Sequence, residues 1–166
     1  GPLNVLCVDD SRSILTLLKK ILSQADGVEV VGTAKNGKEA HEFLKTHDVD
    51  LMTLDLHMPE MDGLTYLKKY HDDKHPPVVV ISSTSREDAS TAIKAIELGA
   101  IDFVEKPSLN NLDERGDEIL TKLKVAKESG ASTKNFSRNE TGLSKQQIEI
   151  KNTENKRCLI FASLQT

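Results

Sequence analysis

The chain has 166 residues, 37% of them apolar and 29% charged, with a formal net charge of −4, enough for one ordinary domain and a remainder. No window approaches the roughly 18 apolar residues of a membrane span, which argues against membrane insertion. Residues 1–127 carry 16 Lys and Arg against 22 Asp and Glu, and so acidic a body is ill suited to nucleic acid, whose phosphates need Lys and Arg. Cys7 and Cys158 lie far apart; they form neither a disulfide framework nor a zinc pattern and fit the reduced thiols of a cytoplasmic protein. The opening "GPL" lacks Met and reads as a cloning remnant, so Gly1 and Pro2 are not expected to contribute to the fold.

The first apolar run, "NVLCV" (4–8), predicts a strand, and a helix follows from near Arg12, with Ile14, Leu15, Leu18, Ile21 and Leu22 as one stripe. "VEVVGTA" (28–34) predicts the second strand. Asn36 and Glu39 then form a capping box ahead of a helix whose buried face is Ala40, Phe43 and Leu44. "DLMTLD" (50–55) and "PVVVIS" (77–82) are the third and fourth strands. Ser85 and Asp88 open a helix with the stripe Ala89, Ala92, Ile93 and Ile96, closed by Gly99 in a left-handed C′ position. "IDFVE" (101–105) is the fifth strand, and Ile119, Leu120 and Leu123 mark a last helix near 113–127.

Continuous Val, Ile and Leu in these runs suit strands covered on both faces, as in a parallel sheet. Five β-α units predict an α/β doubly wound fold, and of its two common solutions the five-stranded order 2-1-3-4-5 is the one expected. From Glu128 the chain turns polar, and residues 128–156 read as a linker. Residues 157–166, with "CLIFA", read as the first strand of a further C-terminal domain that the chain does not complete.

Ligands of such sheets bind beyond the carboxyl ends of the strands, where the order reverses. Strand one ends on Asp9 and Asp10, strand three on Asp55, strand four on Ser82 and Ser83, and strand five on Lys106-Pro107. Each has a plain explanation alone: Asp10 or Ser11 as a helix cap, Asp55 as an Asx turn, Ser82 as a loop hydroxyl, Lys106 as a solvated turn. Those explanations do not account for all of them ending neighbouring strands at one edge. Three close carboxylates need a neutralising cation, and oxygen-only ligands suit Mg²⁺, or Mn²⁺ in its place. With a lysine and a hydroxyl added, the set suits phosphoryl transfer, and an Asp can itself be the nucleophile. "HDDKH" (71–75) spaces His71 and His75 at i, i+4 but reads as a solvated loop ahead of Pro76. Tyr66, Tyr70 and Phe43 read as packing residues, His41 and His47 have no ligand-type partners nearby in sequence, and no phosphate-binding glycine loop is present.

"VDDS" (8–11), "LDLHMPEMDGL" (54–64), "VVVISS" (78–83) and "DFVEKP" (102–107) together resemble the receiver domain of two-component response regulators, over about residues 3–127. The resemblance implies the flavodoxin-like receiver fold for 1–127, with Asp55 as phosphoacceptor. It makes Asp10 a direct Mg²⁺ ligand, Asp9 a ligand acting mainly through water, and the backbone carbonyl of His57 a third protein ligand beside Asp55. Ser82 matches the switch hydroxyl, Lys106 the phosphate-binding lysine, with a cis peptide to Pro107, and Phe103 the aromatic switch position.

A narrower resemblance, carried by "LCVDDSRSI", "LTYLKKY" and "AIELGAIDFVEKPS", is to the receiver of chemotaxis protein-glutamate methylesterases. It implies a phosphoprotein that takes its phosphoryl group from a chemotaxis-type histidine kinase and controls its own C-terminal domain, a hydrolase whose substrates are chemoreceptors. Ser163 falls at that hydrolase's nucleophile position, although "FASLQT" departs from the family's G-A-S-T-G-G. Two other readings stay open. One is a phosphorelay or interaction module with a different output. The other is a Mg²⁺-dependent phosphohydrolase of the haloacid-dehalogenase type, against which stand the nucleophile's place after strand three and His at position 57.

Overall fold

A computed structural model describes residues 1–83 and 86–136, with the side chains of 1–83 and 87–128. The chain divides into a unit Gly1–Gly130 and a second unit Ala131–Thr166. The elements run β1 (Leu3–Val8), α1 (Arg12–Ser23), β2 (Val28–Ala34), α2 (Gly37–Thr46), β3 (Leu51–Asp55), α3 (Gly63–Tyr70), β4 (Val78–Ser82), α4 (Arg86–Glu97), β5 (Asp102–Glu105) and α5 (Leu112–Phe136). The strands form one parallel sheet in the order β2-β1-β3-β4-β5, as expected.

Strand alternation sorts the core into two layers. Leu6, Val8, Met52, Leu54, Val78 and Val80 face one way and pack with Ala40, Tyr66, Leu67, Ala92 and Ala95 of α2, α3 and α4. Val5, Cys7, Leu51, Val79, Ile81 and Val104 face the other way, against Leu15, Leu18, Ile21 and Leu22 of α1 and Ile119, Leu123 and Ala126 of α5. Right-handed crossovers require this division, because the path turns from leftward to rightward after β2. The reversal falls at β1 and β3, so their carboxyl ends border a crevice.

Local signals set the helix starts. Ser11 Oγ accepts from Ile14 N–H (3.4 Å), Asn36 Oδ1 from Glu39 N–H (2.9 Å) and Asp62 Oδ1 from Thr65 N–H (2.8 Å). Glu39 reaches back to Lys35 N–H, one residue before the cap, at 2.8 Å. Gly99, at φ +117°, ends α4 as expected: its N–H bonds Ile96 O and that of Ala100 bonds Ala95 O, the paired bonds of a Schellman end.

Three expectations are corrected. The buried face of α4 is Asp88, Ala92 and Ala95, whereas Ala89 is exposed and Ile93 and Ile96 are 57% and 40% exposed. Two alanines let the helix lie close on the sheet, and the buried carboxylate shares their face because it finds partners there. The loop at 71–75 is exposed at Asp72, Asp73 and Lys74, as expected, but His71 and His75 at its ends are half-buried. The ring of His71 packs beneath Gly99, where a Cβ would meet it at 2.5 Å. His75 is held between Tyr66 Oη (2.7 Å) and Pro76 O (2.7 Å), and burial lowers its pKa to about 4. The third is the last helix, which passes the expected end at 127 and continues through Phe136 into the stretch read as a linker. The strand expected over 157–166, with Ser163, lies outside the described residues.

Candidate functional site

The polar ends of β1, β3, β4 and β5 are brought to one edge, and the sheet register does it. Asp55 pairs with Ile81, one residue short of Ser82, and Ser82 pairs with Glu105, one short of Lys106. Lys106 N–H bonds Ser82 O at 2.8 Å, tying the ends of β4 and β5 together. Gly63 sets the floor: its N–H bonds Leu56 O at 3.0 Å, and a Cβ there would meet Asp55 O at 2.6 Å. Only glycine lets α3 begin so close to the back of the Asp55 strand.

Asp9 and Asp55 are both 1% exposed, while Asp10 is exposed. One oxygen from each of the three carboxylates falls within 4.8 Å of the others. Lys106 Nζ stands 3.2 Å from Asp55 Oδ1 and 3.6 Å from Asp9 Oδ2. Asp9 Oδ1 accepts from Ser11 N–H (2.8 Å) and Asp55 Oδ1 from His57 N–H (3.3 Å). Asp9 Oδ2 and Asp55 Oδ2 are buried with no hydrogen-bond partner among the described residues.

Burial is the main force on these groups. It lifts the Asp55 carboxyl to about 6, and the charge of Asp9 adds to the rise against the pull of Lys106 and the His57 N–H. Asp9 is raised by burial as well. Burial pushes Lys106 down, but the charges of Asp55 and Asp9 outweigh it and leave the lysine above its ordinary value. Two buried carboxylates share one ammonium, and two of their oxygens lack donors. This is the donor set of a hard divalent cation, so the residues fit Mg²⁺.

Ser82 is 4% exposed at the end of β4. Phe103, on β5, is 38% exposed. Lys122 Nζ bonds the Phe103 carbonyl at 2.7 Å and stands 5.3 Å from the centre of its ring. The Lys106–Pro107 peptide is trans, not cis; trans is the lower-energy form even before proline.

Two side-chain contacts near the site had no signal in residue type or spacing. The His57 imidazole meets Asp88 Oδ1, and Ser83 Oγ donates to Asp88 Oδ2. Asp88 had a local explanation as the second half of a capping box, which hid its role across the fold.

Residues 5–117 match the family model of the response regulator receiver domain. The chain belongs to the response regulator receiver family. It is a receiver domain of two-component signalling. It is 41% identical over 137 residues to a protein-glutamate methylesterase/protein-glutamine glutaminase of Xanthomonas euvesicatoria pv. vesicatoria, covering 81% of this chain and 38% of the relative. This receiver chain thus spans well under half the length of that curated relative. Among solved structures, the response regulator domain of Thermotoga maritima CheB is 34% identical with a TM-score of 0.69, covering 77% of this chain and 98% of that one. The complex of the P1 domain of CheA3 with CheY6 from R. sphaeroides also matches, at 30% identity and a TM-score of 0.64, over 76% of this chain and 97% of that one. Homology to chemotaxis methylesterase receivers agrees with the narrower resemblance. No helix among the described residues is long and apolar enough to cross a membrane.

Proposed function

We propose that Asp55 accepts a phosphoryl group and that Lys106, Ser82 and Phe103 convert its arrival into a change of surface. The observation that carries this reading is Asp55 Oδ2, a buried carboxylate oxygen with no hydrogen-bond partner among the described residues, at the crevice end of β3. In the step, an Asp55 oxygen attacks the phosphorus of a phosphorylated histidine, and an acyl phosphate forms as the P–N bond breaks. The imidazole leaves with its electron pair and takes up a proton from water. With a carboxyl pKa of about 6, Asp55 is mostly ionised, and nucleophilic, at neutral pH.

Asp9, Asp10, Asp55 and the His57 backbone carbonyl would hold Mg²⁺. When bound, the ion supplies positive charge against the carboxylates and the phosphoryl oxygens. Lys106 pairs with one phosphoryl oxygen and Ser82 Oγ–H donates to another, as phosphoryl transfer requires. Phosphorylation adds charge approaching −2, which draws Lys106 and Ser82 inward and favours an inward turn of Phe103. Phe103, having no hydroxyl, acts by ring packing. The face of α4, β5 and α5, which exposes Ile93, Ile96 and Phe103, then shifts in population.

The donor in this reading is a chemotaxis-type histidine kinase, supported by the likeness to CheY6 in its complex with the P1 domain of CheA3. The output is a C-terminal protein-glutamate methylesterase domain in the cytoplasm acting on chemoreceptors, supported by the methylesterase relatives. The ester chemistry belongs to that domain and not to this receiver.

The test is incubation with acetyl phosphate and Mg²⁺ followed by intact-mass measurement. One phosphoryl adduct is expected on the wild type and none on Asp55→Asn. An equal adduct on Asp55→Asn would sink the assignment.

A further inference from the structure

Asp88 and His57 lie 31 positions apart, and the phosphoryl chemistry gives neither of their side chains a task. Asp88, in the first turn of α4, is 6% exposed, and a carboxylate is seldom buried without partners. Its Oδ1 accepts from His57 Nε2 and its Oδ2 from Ser83 Oγ. The His57 side chain is 63% exposed, so burial does not hold the ring in place; the carboxylate does. His57 has a second anchor, its backbone N–H on Asp55 Oδ1 at 3.3 Å.

A continuous path therefore runs from the Asp55 carboxylate through the backbone and ring of His57 to Asp88 and α4. Asp88 shares its helix face with buried Ala92 and Ala95 at i, i+4 and i+7. A turn of α4 about its axis withdraws the carboxylate from the ring.

We propose that the His57–Asp88 hydrogen bond tethers α4 to the phosphoacceptor strand, so that a charge placed on Asp55 is felt at α4 through the segment after β3 as well as through Ser82. Asp88 is then a positioning residue. The phosphorylation half of the proposal rests on the reading of Asp55 above. The competing role for Asp88 is local, a first-turn carboxylate facing the positive end of its own helix. That role makes no use of His57.

The experiment is amide hydrogen exchange of Arg86–Glu97 in the full chain, at rest and with acetyl phosphate and Mg²⁺, with phosphoryl occupancy read by intact mass. His57→Ala and Asp88→Ala are each expected to speed exchange at the start of α4 at least threefold. The double variant is expected to be no faster than the faster single variant, and His57→Gln, which carries an N–H of similar reach, to restore protection. Compared at equal occupancy, the change in α4 protection on phosphorylation falls at least twofold in His57→Ala. Wild-type exchange of α4 in His57→Ala overturns the tether, as do additive effects of the two substitutions. Should Asp88→Ala not fold, His57→Ala and His57→Gln decide between them. A wild type that takes no phosphoryl group refutes the reading of Asp55, and the resting-state exchange still decides the tether.

Discussion

Lys106 Nζ lies 3.2 Å from Asp55 Oδ1, one ammonium from the end of β5 set against a carboxylate sealed at the end of β3. The same ammonium also faces Asp9 at 3.6 Å, so it cannot neutralise both, and each carboxyl stays raised by burial.

Replacing Lys106 by Met removes the cation that, among the described residues, lowers the Asp55 carboxyl. Phosphorylation by acetyl phosphate should slow by about 10²-fold, the usual cost of losing a preorganised stabilising donor. Its pH midpoint should move above about 6, since burial and Asp9 are then opposed only by the weaker pull of the His57 N–H. Rates read by intact mass between pH 5 and 9 check both; an unmoved midpoint contradicts the electrostatic account.

Without a cation, the raised Asp55 carboxyl costs stability at neutral pH. Its folded pKa, about 6, exceeds its ordinary value of 3.8, so the folded state binds the proton more tightly. Stability from this group is present below pH 3.8 and is lost as pH rises through about 6. Asp55→Asn should therefore be more stable than the wild type at pH 7, by about 2–3 kcal/mol, and the gap should close near pH 4. Urea unfolding without divalent ions measures it.

His75 carries the opposite sign in an overlapping window. Its folded pKa, about 4, lies below the ordinary 6.5, so stability from keeping it neutral is present above pH 6.5 and lost as pH falls toward 4. The stability difference between the wild type and His75→Gln should rise with pH across that window, by about 2–3 kcal/mol. Paired urea titrations at pH 4.5 and 7 check it; a difference flat in pH refutes the buried neutral ring.

Mg²⁺ should stabilise the wild type by about 2.7 kcal/mol at a hundred times its dissociation constant, and calorimetric titration should show one site. Asp10→Ala, at an exposed position, should weaken that binding at least tenfold while leaving the metal-free stability within about 0.5 kcal/mol. Unchanged affinity would remove Asp10 from the ligand set.

Gly63→Ala places a Cβ 2.6 Å from Asp55 O and 2.9 Å from Leu56 Cα. Backbone must move, and overpacking of this kind costs about 1–3 kcal/mol. Stability should fall by that amount in urea, with slower phosphorylation of Asp55, since the displaced strand end carries the nucleophile. Unchanged values for both would mean that the start of α3 yields freely.

Much of the fold was legible because residue type and spacing are local properties. Five apolar runs marked the strands, four of them ending on the polar groups of the site, and the strands formed where those runs lie. Gly99 closed α4 because only a residue tolerant of positive φ suits that turn. The convergence of Asp9, Asp10, Asp55 and Lys106 followed from strand order alone, since every parallel strand delivers its carboxyl end to one edge.

What the sequence did not show depends on partners distant along the chain. Counting apolar residues placed Ile93 and Ile96 inside, yet Asp88 is buried in their stead, because a carboxylate can be buried where it finds hydrogen-bond donors. Those donors, His57 and Ser83, stand beside it only once β3, β4 and α4 have packed. The outward Phe103 beneath Lys122 and the enclosed His75 are of the same kind. The sequence by itself determined the sheet, its order and the polar groups at its edge. Only the tertiary structure decided which face of α4 turns inward and what the His57 ring holds, because whether a polar group can be buried depends on donors that other segments bring to it.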